Sequence, residues 1–263
     1  MTILVGQEHL SRQIQKMVNE GRFPRTLIIA GGRHCGKQLL AETAIARLLK
    51  ADVYKPTDLK VDSIRDIIEN STALTNKRIY LLTDAHEMTN QAQNALLKLS
   101  EEPSPLAYII MTTDNPDQLL PTILSRSITL NMDPYTQEEL SMFTQDEILL
   151  RMCESPGQIK NYEMMNYRSV FDHCEKVADN IGNISAANVF NILKHVQKEQ
   201  LDLLIPMLLY VYGERLKWGR PVQSQIRIIY EYKQLLAKSK SVNTNNALEM
   251  MFVQMRGAAQ NAI

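Results

Sequence analysis

The sequence predicts an α/β domain built on a parallel sheet, followed by a small helical segment and then a wholly helical C-terminal part. Three observations predict it. In the first half, short apolar runs alternate with amphipathic stretches, the pattern of strand–helix units whose sheet is covered on both faces. The loop from Gly31 to Gln38 follows the first strong apolar run and opens a helical pattern. Beyond about residue 133 strand-like runs stop, and helical patterns take over, punctuated by Pro134, Pro156-Gly157, Gly182, Pro206, Gly219 and Pro221.

Taken in order, residues 26–30 form a compact buried strand running into Gly31 and Gly32. A helix is expected over 37–49, with Leu40, Ala44 and Leu48 on one face. Residues 51–54 suit a short strand, and Pro56 places it at the sheet edge. Ile64, Ile67 and Ile68 recur at helical spacing, which predicts a helix over 61–70. Residues 79–82 are a second strong strand, ending at Thr83 and Asp84. Thr89 is placed to cap a helix running through Leu99 and stopped by Pro103. Residues 108–111 are the third strong strand and 127–130 a weaker fourth. At the far end, Leu248, Met251, Phe252 and Met255 share one helical face behind a polar loop over 239–246. The predicted divisions are 1–133, 134–179 and 180–263.

Composition narrows the function classes. The 263 residues carry 29 Lys+Arg and 29 Asp+Glu, so no global field draws the chain to nucleic acid or anionic membrane, and such contact needs a local patch. With 44% hydrophobic and 22% charged residues, the chain is a folded protein of about two domains. No run approaches the ~20 apolar residues of a membrane span, and no signal-peptide core is present. Cys35, Cys153 and Cys174 are too few for a disulfide framework or a four-cysteine metal site. The expected setting is a reducing cytoplasm, with no membrane partner and no metal site.

Gly31-Gly-Arg-His-Cys-Gly36-Lys37-Gln38 sits between a strand and a helix, where a phosphate-binding loop works. Backbone N–H groups and the helix N-terminus converge there on phosphate oxygens, and the lysine reaches the β/γ-phosphates. The pattern requires a hydroxyl after the lysine to ligate Mg²⁺, and Gln38 has none. Asp84 stands like the metal-side acid, but the next residue, where a glutamate would polarise the attacking water, is Ala85. Glu87 follows two residues later. The expectation is a degenerate nucleotide site, holding ATP or ADP without productive magnesium or serving only as framework, with no intrinsic ATPase. Cys35 at the helix start could be a low-pKa thiol; an unremarkable loop cysteine is the commoner case. Trp218 beside Arg215, Lys217 and Arg220 suggests a stacking cluster, against packing with a charged rim as the preferred reading.

The block Asp84-Ala-His-Glu-Met-Thr-Asn-Gln-Ala-Gln-Asn-Ala-Leu-Leu-Lys98, followed by Glu101-Glu-Pro103, resembles the AAA+ clamp-loader subunits of bacterial replicative DNA polymerase. So do Thr112-Thr-Asp-Asn-Pro116, Leu119 to Ser127, Val5-Gly-Gln7, Val61 to Arg65 and, more thinly, Asn243 to Arg256. The resemblance implies an AAA+ phosphate-loop domain over 1–133, a helical lid over 134–179 and a helical oligomerisation collar over 180–263. It implies a nucleotide-binding set of Val5, Gly31, Gly36, Lys37, Gln38, Asp84, Thr112 and Thr113, with one of the two threonines as polar sensor. Arg126, within Ser125-Arg-Ser127, matches the family's arginine finger, which reaches a neighbouring subunit's γ-phosphate. The damaged site resembles that of the delta-prime subunit, which usually does not hydrolyse ATP. The alternative is a hydrolysing motor subunit of the tau/gamma kind, and a third option is a stand-alone repair or recombination AAA+ protein.

Three departures from the family stand out. His34 replaces a loop glycine, no cysteine lies between Lys37 and Asp84 to build the usual zinc module, and the second-sensor-like segment Glu154-Ser-Pro-Gly-Gln158 lacks an arginine. The implied partners are other clamp-loader subunits in a hetero-oligomeric ring, a sliding clamp and primer–template DNA.

Overall fold

The computed structural model describes residues 5–101, 104–183, 201–238 and 243–260. The expected stop at Pro103, part of the boundary region beyond residue 183 and much of the 239–246 loop lie outside the described residues. By contacts the chain divides into two compact units, Met1–Ile159 and Lys160–Ile263. Residues 134–159 fall with the first unit because their hydrogen bonds run to it, among them Tyr135 Oη to Cys35 O and Ser155 Oγ to Arg33 O.

The first unit opens with helix α1 (Glu8–Asn19) and strand β1 (Thr26–Ala30). Helix α2 then runs as Lys37–Leu39, a π-helical stretch Leu40–Ile45, and Ala46–Leu49. The continuous α-helix expected over 37–49 is therefore interrupted, with Thr43 Oγ1 bonded to the Leu39 carbonyl at 2.6 Å. Next come β2 (Asp52–Tyr54), α3 (Val61–Ser71), β3 (Arg78–Leu82), α4 (Asn90–Glu101), β4 (Ala107–Thr113), the short α5 (Pro121–Leu124) and β5 (Ile128–Asn131). Thr89 caps α4 as expected, its Oγ1 accepting the Ala92 N–H at 3.2 Å.

All five strands pair in parallel in the order β2-β3-β4-β1-β5, which leaves β2 at the edge. Strand period sorts the core. Leu27, Ile29, Ile79, Leu81, Tyr108 and Ile110 face α1 and α2, while Ile28, Tyr80, Leu82, Ile109 and Met111 face α3, α4 and α5. Both layers are buried, which is why the strands read as continuous apolar runs.

This topology fixes where a ligand can sit. Strand β1 leads through α2 on one face to the far edge, while neighbouring β4 leads through α5 on the other face to β5. Connections leaving two adjacent strands in opposite directions open a crevice at their C-terminal ends. Helices α6 (Gln137–Ser141) and α7 (Glu147–Met152) follow, and α8 (Pro156–Met164) carries the division between units.

In the second unit, α9 (Tyr167–Asn180), α10 (Leu201–Lys217), α11 (Gln223–Lys238) and α12 (Thr244–Gln260) are all helical. Arg215 ties α10 to α9 through Asp179 at 2.7 Å and Glu175 at 3.4 Å. The face of α12 formed by Leu248, Met251, Phe252 and Met255 is buried as expected. Two expectations fail here. Pro206 lies inside α10 instead of between helices, and Trp218 is 84% exposed instead of packed. It follows the last residue of α10 and meets solvent at a turn closed by Gly219 in the left-handed region. No helix among the described residues is long and apolar enough to cross a membrane.

Candidate functional site

The crevice at the ends of β1, β3 and β4 is a cavity of about 590 Å³, lined by the loop 33–38 and by Thr83, Asp84, His86, Glu87, Thr112 and Asp114. The loop carbonyls are held one after another. Lys37 Nζ donates to Gly31 O at 2.9 Å and Gly32 O at 2.6 Å, Ser155 Oγ to Arg33 O at 3.1 Å, and Tyr135 Oη to Cys35 O at 3.0 Å. A planar trans peptide whose carbonyl is held on one side turns the next N–H to the other. Holding the carbonyls in this way is what an anion-binding nest of N–H groups requires. Gly31 is anchored to β4 through its N–H to Thr113 O at 3.1 Å. Gly36, at φ 99°, makes the turn into α2 with no side-chain penalty, whereas His34 holds φ 58° despite its Cβ.

Lys37 is buried, its ammonium folded against the loop it serves. Burial pushes the Cys35 thiol above its ordinary range, and the neighbouring Lys37 charge only partly offsets this. With Met132 Sδ 3.5 Å from its sulfur, Cys35 is a packing residue, and the low-pKa thiol is set aside. Burial also pushes the Tyr135 phenol up to about 12, so it stays protonated and donates to the loop.

Gln38 Nε2 donates to Glu42 Oε1 at 2.9 Å, and Glu42 is ion-paired with Lys55. The position that should supply a metal hydroxyl therefore supplies an amide already committed to a carboxylate. These residues do not fit the magnesium shell that the phosphate-loop pattern requires. Asp84 is exposed, holds φ 52°, and donates its own N–H to Thr112 Oγ1 at 3.3 Å. Glu87, whose reach spacing alone left open, lines the same cavity, while Ala85 is buried in the core.

Spacing missed a charge cluster. Asp114, the residue after β4, accepts Arg33 Nε on Oδ2 at 3.0 Å and pairs with His86 Nε2 through Oδ1 at 3.0 Å. His86 Nδ1 lies 3.3 Å from Thr113 Oγ1. Burial alone would raise the Asp114 carboxyl, but the Arg33 hydrogen bond and the fields of His86, Arg33 and Lys37 hold it below the usual range. Gly36, Lys37, Gln38, Asp84 and Thr112 line the pocket, and Gly31 and Thr113 support it from behind. Val5 and Arg126 are not among its lining residues. Two residues after Val5, buried Gln7 bonds the Asp133 carbonyl and N–H at 2.9 and 3.0 Å.

Arg126 follows α5 and precedes β5, the end of the sheet opposite the pocket. A strand of four residues spans roughly 13 Å. The side chain is exposed, with Nη1 donating to Thr122 O at 3.2 Å.

Residues 53–136 match the family model described as DNA polymerase III, delta subunit. The gamma/tau subunit of DNA polymerase III from Mycobacterium tuberculosis is 25% identical over 187 residues, covering 59% of this chain and 32% of that protein. The tau subunit of Escherichia coli is 23% identical over 253 residues, covering 81% of this chain and 38% of that protein. Over these segments the chain is similar to subunits of DNA polymerase III. Its match spans about a third of the length of these curated relatives. A crystal structure of a DNA polymerase III gamma subunit-related protein from Thermotoga maritima has the same fold, with a TM-score of 0.62 at 18% identity, covering 96% of this chain and 99% of that one. The family-model match holds Asp84, Thr112, Thr113 and Arg126 but excludes the phosphate loop.

Proposed function

We propose that the chain is a non-hydrolysing, delta-prime-like subunit of a clamp loader that places a sliding clamp on primed DNA in the cytoplasm. The observation that carries this reading is that Arg126 and the phosphate pocket lie at opposite ends of one sheet. An exposed arginine there cannot serve its own pocket, but a guanidinium presented to a neighbour's γ-phosphate offsets charge in that neighbour's transition state. The pocket's own departures support the same reading, since Gln38 is held by Glu42 and Ala85 carries no acid. On this reading 1–133 is the AAA+ domain, 134–179 the lid and 180–263 the collar.

Co-expression with candidate motor and delta-type subunits and a sliding clamp tests the proposal by native mass spectrometry. The expected product is a hetero-oligomeric ring with a fixed number of copies of this chain. Self-assembly of the chain alone into an active ring contradicts it.

A hydrolysing, tau/gamma-like role is the second reading. Its supports are the gamma/tau names of the relatives and the presence of Glu87 in the same cavity as Asp84. ATP turnover by the isolated chain, abolished by Lys37→Ala, would favour it.

A further inference from the structure

Arg33 is not a fixed residue of the phosphate-loop pattern, yet its placement resembles that of an aimed cation. It lines the cavity with a side chain 77% exposed, and only its Nε is engaged, by Asp114. The two Nη nitrogens have no protein partner among the described residues. The carboxylate holding it is itself fixed, because His86 takes the other oxygen and Thr113 stands behind His86. An ion pair this exposed contributes little to stability, so its consequence is orientation.

The pocket has use for such a cation. Asp84 repels an anion entering from the β3 side, Lys37 already spends two donors on Gly31 and Gly32, and Gln38 brings no metal to its position. A planar guanidinium with two unspent nitrogens matches phosphate oxygens in geometry and charge.

We propose that Arg33 is a phosphate-contacting residue acting within its own chain, that Asp114 is its positioning residue, and that together they let the pocket hold a nucleoside diphosphate without a divalent cation. This rests on reading the loop as a surviving nucleotide site. It is independent of whether the chain joins a clamp loader.

The test is titration calorimetry on the full chain with ADP, inorganic pyrophosphate and adenosine, in EDTA and again with magnesium. ADP binding is expected to persist in EDTA, and Arg33→Ala to weaken it by about 10- to 100-fold, the range for a charge-assisted hydrogen bond. Arg33→Lys should recover part of that loss. Asp114→Asn should weaken ADP and pyrophosphate by about 5- to 10-fold while leaving adenosine unchanged, a split that general damage to the fold would not produce. Thermal unfolding of each variant controls for folding. Wild-type affinity in Arg33→Ala, dependence of ADP binding on magnesium, or no saturable ADP or pyrophosphate binding by the wild-type chain overturns the proposal. In the last case ring assembly, measured separately, still decides the clamp-loader reading.

Discussion

Gly157 lies so close to the phosphate loop that a β-carbon on it would stand 2.3 Å from the His34 carbonyl oxygen. Together with Ser155 Oγ on the Arg33 carbonyl, this seats the start of α8 directly on the loop. Because the obstacle is backbone, it has no flexible end to swing aside.

Gly157→Ala is therefore expected to destabilise the first unit by about 1–3 kcal/mol, the usual cost of overpacking. Amide exchange should rise in residues 31–37 and 153–159. Urea denaturation with hydrogen-exchange mass spectrometry measures both, and wild-type exchange in the loop would contradict the contact.

Gln7 joins the N-terminal segment to the chain just after β5 by a two-way bond to the Asp133 backbone. Replacement by Leu fills similar space but removes both bonds to the exposed Asp133, a loss of about 1 kcal/mol. The urea midpoint should fall accordingly, and a midpoint equal to wild type would show that water satisfies those groups.

Much of this was legible in the sequence, and the reason it stopped is physical. Strands 26–30, 79–82 and 108–111 announced themselves because both sheet faces are buried, so every position but Thr26 is aliphatic or aromatic. The loop from Gly31 to Gln38 was legible because strand, glycines, lysine and helix are contiguous. The Arg33–Asp114–His86 cluster was not. Arg33 and Asp114 are 81 residues apart and meet only because β4 lies beside β1, a neighbour relation that local patterns do not encode. Asp114 stood in plain view within Thr112-Thr-Asp-Asn-Pro116, but spacing along the chain could not name its partners. Exposure of Trp218 and the continuation of α10 through Pro206 were misread because tertiary packing, not residue type, decides both.

Asp114 gives a pH dependence with a definite sign. Its folded pKa lies below the unfolded value of about 3.9, so its contribution is complete above that value and disappears as pH falls through the lower folded value. Asp114→Asn should cost about 1 kcal/mol at pH 7, and the gap to wild type should close progressively below about pH 4. Urea midpoints for the two proteins between pH 3 and 7 provide the check. A gap independent of pH would mean that the loss is one of shape, not charge.

Buried Gln93 holds the loop leading to α5 and Arg126. Its Nε2 donates to Met88 O and Gln118 O, each at 3.2 Å, and its Oε1 accepts the Leu120 N–H at 2.8 Å. Gln93→Ala should destabilise the unit by about 2–3 kcal/mol and raise amide exchange over 116–127. Unchanged exchange there would detach Gln93 from the placement of Arg126.

On the proposed function, this chain lends Arg126 to a neighbour and hydrolyses no nucleotide of its own. The most direct measurement is DNA- and clamp-stimulated ATPase activity of the assembled ring, with Arg126→Ala or Lys37→Ala introduced only in this chain. The account predicts a loss of about 10³-fold or more at the neighbouring site with Arg126→Ala, and wild-type turnover with Lys37→Ala. Full activity with Arg126→Ala, or a loss confined to Lys37→Ala, would contradict it.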